Sequence, residues 1–292
     1  MKLTVICVAL FAFFAGSAAR ADEPDSRGFS VDFSQCTEFA GVGPVDFARA
    51  SSLVQPSFTT LGAGSAAAIV VRATSCASAQ VDGGDGVPTI ISQIGIEIVP
   101  PDGTGDINNY TLTYVTNNAQ LALAFRRVCL PVIFDPTITY EFTYDSTGKS
   151  GELYVEAEGA GLPAYFLTGA ETDPNGGGSD FKANWWYKGF AGVIKQASDF
   201  PNISFGPANV SLHASRESAL GKLIGGNTDT DFHFFPVRGI YPAAHMDVTT
   251  SSQQAAGDAS EASLSATAAD PRTSVLMAAA CNRTTSEKKT AN

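Results

Sequence analysis

Alternation of apolar and polar residues with a period of two is the signal that recurs along this chain. Over residues 137–144 the large apolar side chains Ile138, Tyr140, Phe142 and Tyr144 fall on one face, and Thr and Glu fall on the other. That is the pattern of a half-buried strand. Asp145-Ser146-Thr147-Gly148 supplies turn chemistry after it, and a second strand over 152–158 completes an expected β-hairpin. Further strands are expected over 68–72, 89–99, 110–116, 163–168, 181–194, 209–214 and 231–248. Within 89–99, Ile94, Ile96 and Ile98 share one face and leave Gln93, Gly95 and Glu97 on the other. Helical spacing is scarce. It predicts a helix over 118–127, where Leu121, Ala124 and Phe125 form a stripe behind Asn117-Asn118, and a shorter one over 215–223 with Ser215 as N-cap. The expected fold class is mainly β: an antiparallel curved sheet or barrel with a central cavity and one or two short helices.

The ends of the chain depart from this pattern. Lys2, an apolar stretch from Leu3 to Gly16 and small residues at Ala19 and Ala21 predict a signal peptide over 1–21, cleaved before Asp22. The apolar run is shorter than the ~18 residues a membrane span requires. From Thr249 the chain becomes rich in Ser, Ala and Thr and loses its aromatics, which predicts a disordered tail over 249–292. The expectation is one β domain over 22–248, secreted, or periplasmic in a bacterium, with no membrane contact after cleavage.

Export changes how the cysteines read. Removal of the leader takes Cys7 and leaves Cys36, Cys76, Cys129 and Cys281, four residues that allow three pairings. Cys36 with Cys76 is the expected pair, because both flank the first strand region, while Cys129 reads equally as a small buried hydrophobe. Asn-x-Ser/Thr sequons occur at Asn109, Asn202, Asn209 and Asn282, and make Asn109, Asn202 and Asn209 within the β domain glycosylation candidates in a eukaryotic secretory route. The net charge of -11 is spread without a basic stripe, which argues against nucleic acid as a partner. His213, His233 and His245 lack ligand spacing, so no metal is expected, and no phosphate loop or nucleophile elbow calls for a cofactor.

Residues 109–141, NYTLTYVTNNAQLALAFRRVCLPVIFDPTITYE, combine a strand, a short Asn-initiated helix carrying Ala-Leu-Ala, an arginine, and a turn leading through proline to an alternating strand. In that order they resemble the acetoacetate decarboxylase superfamily. A looser likeness covers 208–248, ending in FFPVRGIYPAAHMDV. The resemblance implies an acetoacetate decarboxylase-like β-barrel that decarboxylates β-keto acids through a Schiff-base lysine, with buried glutamates and an arginine to position the substrate. A lysine suits that work because its protonated imine accepts the electrons released as carbon dioxide leaves, once burial has lowered its pKa. Here the corresponding turn, Leu130-Pro131-Val132-Ile133-Phe134, is apolar. Lys182, Lys188 and Lys195 are the nearest substitutes. Taken as one strand, their segment puts Lys182 and Lys188 with Trp186 and puts Lys195 with Trp185 and Tyr187; all three read as solvated.

The same resemblance implies an acid or base at Glu97, against which stands a surface carboxylate on a half-wet strand. It implies carboxylate capture by Arg126 or Arg127, of which one also suits the helix dipole. Arg72, at a strand end, is a lesser cationic candidate. The function expected is a secreted decarboxylase-like lyase for a small β-keto acid or polyketide-derived oxo-acid in a secondary-metabolite pathway. The alternative is a non-catalytic secreted protein that binds a small molecule on the same fold. A small carboxylic acid is the expected partner, and the oligomeric state is left open.

Overall fold

The computed structural model describes residues 28–157, 165–190, 192–225, 232–233 and 235–251. The leader and the chain beyond Ser251 lie outside the described residues. In chain order the strands are β1 (Phe29–Asp46), β2 (Gly62–Ala63), β3 (Ala66–Val81), β4 (Val87–Glu97), β5 (Ile107–Thr116), β6 (Ile133–Phe134) and β7 (Thr139–Tyr144). They continue with β8 (Ser150–Ala157), β9 (Tyr165–Thr172), β10 (Ser179–Gly189), β11 (Gly192–Ala214), β12 (Phe232–His233) and β13 (Phe235–Ser251). The helices are α1 (Phe47–Leu53), α2 (Ala119–Arg127) and α3 (Ala219–Leu223). None is long and apolar enough to cross a membrane.

Seven strands close on themselves in the order β10-β5-β4-β3-β1-β13-β11, with β11 pairing back onto β10. Closure removes both sheet edges, which would otherwise template association. The later part of β11, Ala208 to Ala214, leaves the barrel and carries β9, β8 and β7 as an added sheet. An apolar layer that includes Phe39, Ile69, Ile94, Val155, Leu167 and Leu212 fills the space between barrel wall and added sheet. Helix α2 packs Leu121 and Phe125 against Phe29, Tyr114 and Val248. Its N-cap is Asn118, whose side chain accepts from the amides of Gln120 and Leu121, as the sequence predicts.

The inward-facing set changes parity at one level across three neighbouring strands. Phe33 and Cys36 of β1, Cys76 and Ala79 of β3, and Tyr241 and Ala244 of β13 all face the interior clusters, although each pair is separated by an odd number of positions. Gln35 sits at this level with φ 51°, a left-handed conformation that resets the phase of β1. The Cys36–Cys76 disulfide bridges β1 and β3 there, at a Cα separation of 4.1 Å. This phase break is why simple alternation does not announce β1.

Several boundaries differ from expectation, three of them with a physical reason on view. The span 181–194 is not one strand but the end of β10 and the start of β11, joined in register at Gly189 and Gly192. The third helix begins at Ala219 with Ser218 as its cap, because the Ser215 carbonyl is occupied by the Ser218 hydroxyl at 2.6 Å and its amide at 2.9 Å. The last strand continues to Ser251, where Thr249 to Ser251 pair with Lys195 to Val193.

Candidate ligand-binding site

The barrel interior is polar at its centre. Glu38 on β1 faces Thr74 on β3, Arg72 lies two residues away on the same face of β3, and Gln93 on β4 is opposite Arg72. Tyr114 is opposite Gln93, and Tyr241 enters from β13 on the other side of β1. These residues converge on one carboxylate oxygen. Glu38 Oε2 accepts from Arg72 Nη2 at 2.6 Å, from Thr74 Oγ1 at 2.8 Å and from the Tyr241 hydroxyl at 3.2 Å. Arg72 Nη2 also donates to Thr74 Oγ1 at 3.1 Å. Burial, the largest single effect, opposes the charge of Arg72, but the Glu38 carboxylate together with Tyr241 and Tyr114 outweighs it and holds the guanidinium above its ordinary pKa. Burial pushes the Tyr241 and Tyr114 hydroxyls up as well.

Beside this cluster lies a cavity lined by Phe33, Arg72, Thr74, Gln93, Tyr114, Ser198, Phe200 and Tyr241, among others. Its volume, about 10 Å³, is room for about one water molecule. Arg72 Nε and Gln196 Oε1 are buried without a hydrogen-bond partner among the described residues, so a donor and an acceptor remain unused in the barrel. The indole of Trp185 closes part of the interior by lying on Gly95, where an added Cβ would come within 2.6 Å of the ring.

The barrel wall is weakened next to the cavity. The β11–β13 ladder breaks between the pairs Asp199/His245 and Ser204/Ile240. Pro201 and Pro242 fall in this gap, and neither carries an amide to donate. An open depression of about 230 Å³ occupies the outside of the gap, lined by Asp32, Phe33, Asp199, Pro201, Ala243, Ala244 and His245. Phe33 and Ala244 line both the depression and the cavity. The rim is acidic apart from His245, which Asp32 at 2.6 Å and Asp247 at 3.2 Å hold above its ordinary pKa.

The residues chosen from sequence fall elsewhere. Glu97 is on the Gln93/Gly95 face as expected, but at the end of β4, half-buried and outside the cavity lining; burial raises its pKa. Arg126 and Arg127 are exposed in the last turn of α2, on the outside of the barrel, where they suit the helix dipole. Neither lines the cavity. Lys195 lies outside too: its ammonium is 2.6 Å from Asp102 and 5.2 Å from the Trp186 ring. It shares a face with Trp186 and not Trp185, because the hairpin between β10 and β11 resets the parity. Lys182 pairs with Asp199 at the surface, and Lys188 is not among the lining residues.

The sequon at Asn109 is a correction. Asn109 is 1% exposed and both polar atoms of its carboxamide are buried, so a glycan there is incompatible with the closed barrel. Asn202 and Asn209 are exposed. Expression through a glycosylating secretory route followed by site mapping should find glycan at Asn202 or Asn209 and none at Asn109 in folded protein.

Tyr241 carried no sequence signal of function, and Glu38 and Arg72 only weak ones. One sign was available: Glu38 is the only charged residue between Asp32 and Asp46, and an isolated charge inside a long apolar-to-small run is a candidate for burial with a partner.

Sequence comparison finds no matching family and no matching curated protein. Structure comparison finds chains of similar fold. The chain is similar in fold to acetoacetate decarboxylase. The enzyme from Legionella pneumophila matches at a TM-score of 0.47 and 8% identity, covering 76% of this chain and 86% of that one. The enduracididine biosynthesis enzyme MppR, in complex with pyruvate, matches at 0.48 and 10%, covering 80% and 91%. An acetoacetate decarboxylase-like enzyme from Sphingomonas wittichii matches at 0.46 and 9%, covering 78% and 93%. At such identities the likeness is one of fold, and neither activity nor substrate comes with it.

Proposed function

We propose that this is an exported protein whose barrel binds a small, neutral, carbonyl- or hydroxyl-bearing molecule by hydrogen bonds, without forming an imine, in space opened when Phe33 moves aside and joins the water-sized cavity to the outer depression. One observation supports this above the rest: the cation of the interior cavity, Arg72, is already neutralised by Glu38, and no lysine is among the lining residues. The unused Arg72 Nε donor suits a ligand oxygen. A carboxylic acid would have to displace Glu38 or bring a second negative charge beside it, and would cross a rim carrying Asp32 and Asp199. The leader-like start of the sequence and the Cys36–Cys76 bridge support export.

The lyase reading rests on a different feature. Glu38 and Tyr241 are proton carriers hydrogen-bonded beside the cavity, so acid-base chemistry without a lysine is the second reading. Incubation with acetoacetate and borohydride separates the two. Binding without turnover predicts no added mass on any lysine and no carbon dioxide release. It also predicts a rise in Tm with a neutral ketone such as acetone, which disappears in Arg72→Met with Glu38→Gln. Saturation at 100 times Kd would stabilise the fold by about 2.7 kcal/mol. A lysine adduct would overturn the proposal in favour of the imine lyase, and carbon dioxide release without an adduct would favour the acid-base reading.

A further inference from the structure

A seam crosses six neighbouring strands of the barrel. The β3–β4 ladder shifts register between Cys76 and Ala79. Gln35 of β1 pairs neither with Ala77 of β3 nor with Pro242 of β13. The β11–β13 ladder lapses between Asp199/His245 and Ser204/Ile240, and β10 and β11 shift register between Ser179 and Phe181. Strands can bend along such a line at low cost, because few ladder hydrogen bonds are made there to be lost.

One covalent bond sits on the line. Cys36 and Cys76, opposite each other on β1 and β3, are joined directly beside the unpaired Gln35 and Ala77. They are 1% and 3% exposed and belong to the cluster of Phe200, Tyr241 and Ala244, against which Phe33 packs. Phe33 stands three residues before Cys36 and lines both the inner cavity and the outer depression. We propose that the Cys36–Cys76 disulfide is a redox latch on the barrel entrance. Oxidised, it fixes β1 to β3 where the ladder is broken and holds Phe33 across the opening. Reduction lets β1 bend at Gln35 and carries Phe33 aside.

The reductant is a dithiol. Its first thiolate attacks one sulfur of the pair and forms a mixed disulfide, and its second thiolate displaces the protein from it. Cys36 and Cys76 each gain one electron and one proton, and the dithiol is oxidised to its own disulfide. In an oxidising medium the entrance stays latched. The purpose of the latch rests on the binding reading above, since it matters only if something enters, but access to the barrel can be measured without the ligand.

The chain has two tryptophans, and Trp186→Phe leaves Trp185, 2% exposed inside the barrel, as sole reporter. In that background acrylamide, a small neutral amide, should quench Trp185 about tenfold faster once Cys36→Ala and Cys76→Ala remove the bond. With both tryptophans kept, the same cysteine changes should speed hydrogen exchange over 29–34 and 243–248 and leave β8 and β9 unchanged. Equal quenching with and without the bond, or exchange that quickens alike in barrel and added sheet, would overturn the latch.

Phe33→Ala gives the reciprocal readout with the bond in place. Dithiothreitol should reduce Cys36–Cys76 about tenfold faster than in the parent chain, while the disulfide at Cys129 keeps its parental rate. No acceleration would place the opening away from Phe33 and sink the proposal. If access changes as expected but acetone gives no rise in Tm, the neutral-ligand reading fails and the latch stands. If acetone binds and access does not change, the latch fails alone.

Discussion

Arg238→Met at pH 8 should destabilise the fold by about 3–5 kcal/mol, the usual cost of stranding one member of a buried ion pair. Arg238 is 1% exposed and stands on the outer face of the barrel, under the added sheet. Its Nη1 donates to Glu171 Oε2 and its Nε to Asp173 Oδ1, both at 2.7 Å, and its guanidinium lies 3.7 Å from the centre of the Phe142 ring. Glu171 is 0% exposed, so removing the arginine leaves its carboxylate without a counter-charge. Asp173 is partly exposed and keeps the Tyr144 hydroxyl at 3.1 Å, and adds less to the penalty.

The effect should depend on pH. Burial raises the Glu171 carboxyl to about 7, the loss of water outweighing Arg238, with Asp173 nearby adding to the rise. Between the ordinary carboxylate range and about 7 the folded state therefore holds a proton that the unfolded chain has released, so stability falls as pH rises through that window. At pH 5, Glu171 is largely protonated and Arg238→Met should cost roughly half as much or less. His245 acts in the same direction: its raised pKa contributes stability below the unfolded value that is lost as pH rises through the folded one. Urea titrations from pH 5 to 8 in a background of His245→Asn and Glu97→Gln, which removes the other groups with raised pKa in this window, isolate the Glu171 component, and Glu171→Gln should flatten it. An equal penalty for Arg238→Met at both pH values would mean that Glu171 is not the group left stranded.

The sequence made the mainly β class legible because half-wet strands keep their period of two. The hairpin of β7 and β8 followed from Ile138, Tyr140 and Phe142 and from the Asp145 turn, in which Asp145 Oδ1 accepts from the Thr147 amide at 2.9 Å. The assignment of Ile94 and Ile96 to the apolar layer followed from the same rule. Strand β1 was not legible, since its inward set shifts phase at Gln35 and its buried positions include Glu38 as well as Phe39. The site went with it. Pairing of Glu38 with Arg72 depends on a register 34 residues apart in sequence, and no local pattern encodes that distance. Glu97, Arg126 and Arg127 are polar residues at the ends of clear elements, where pattern points most readily and where solvent also reaches.

Arg72→Met should cost about 3 kcal/mol, at the lower end for a buried pair, and Glu38→Gln with Arg72→Met should recover most of that loss. The difference lies in what each change leaves behind. In Arg72→Met the Glu38 carboxylate, 7% exposed, keeps Thr74 and Tyr241 as donors, which moderates the penalty without supplying a counter-charge. In the double variant no charge remains in the barrel centre, and the carboxamide oxygen introduced by Glu38→Gln can still accept from Tyr241. A pair of uncharged, similarly sized side chains is often as stable as the ion pair it replaces, so most of the single-variant loss reflects the stranded charge. Chemical denaturation of both single variants and the double variant gives the coupling free energy directly. A coupling below about 0.5 kcal/mol would show that Glu38 and Arg72 act independently, and the site would then offer Arg72 as an unneutralised cation, ready for a carboxylic acid and against the neutral ligand proposed above.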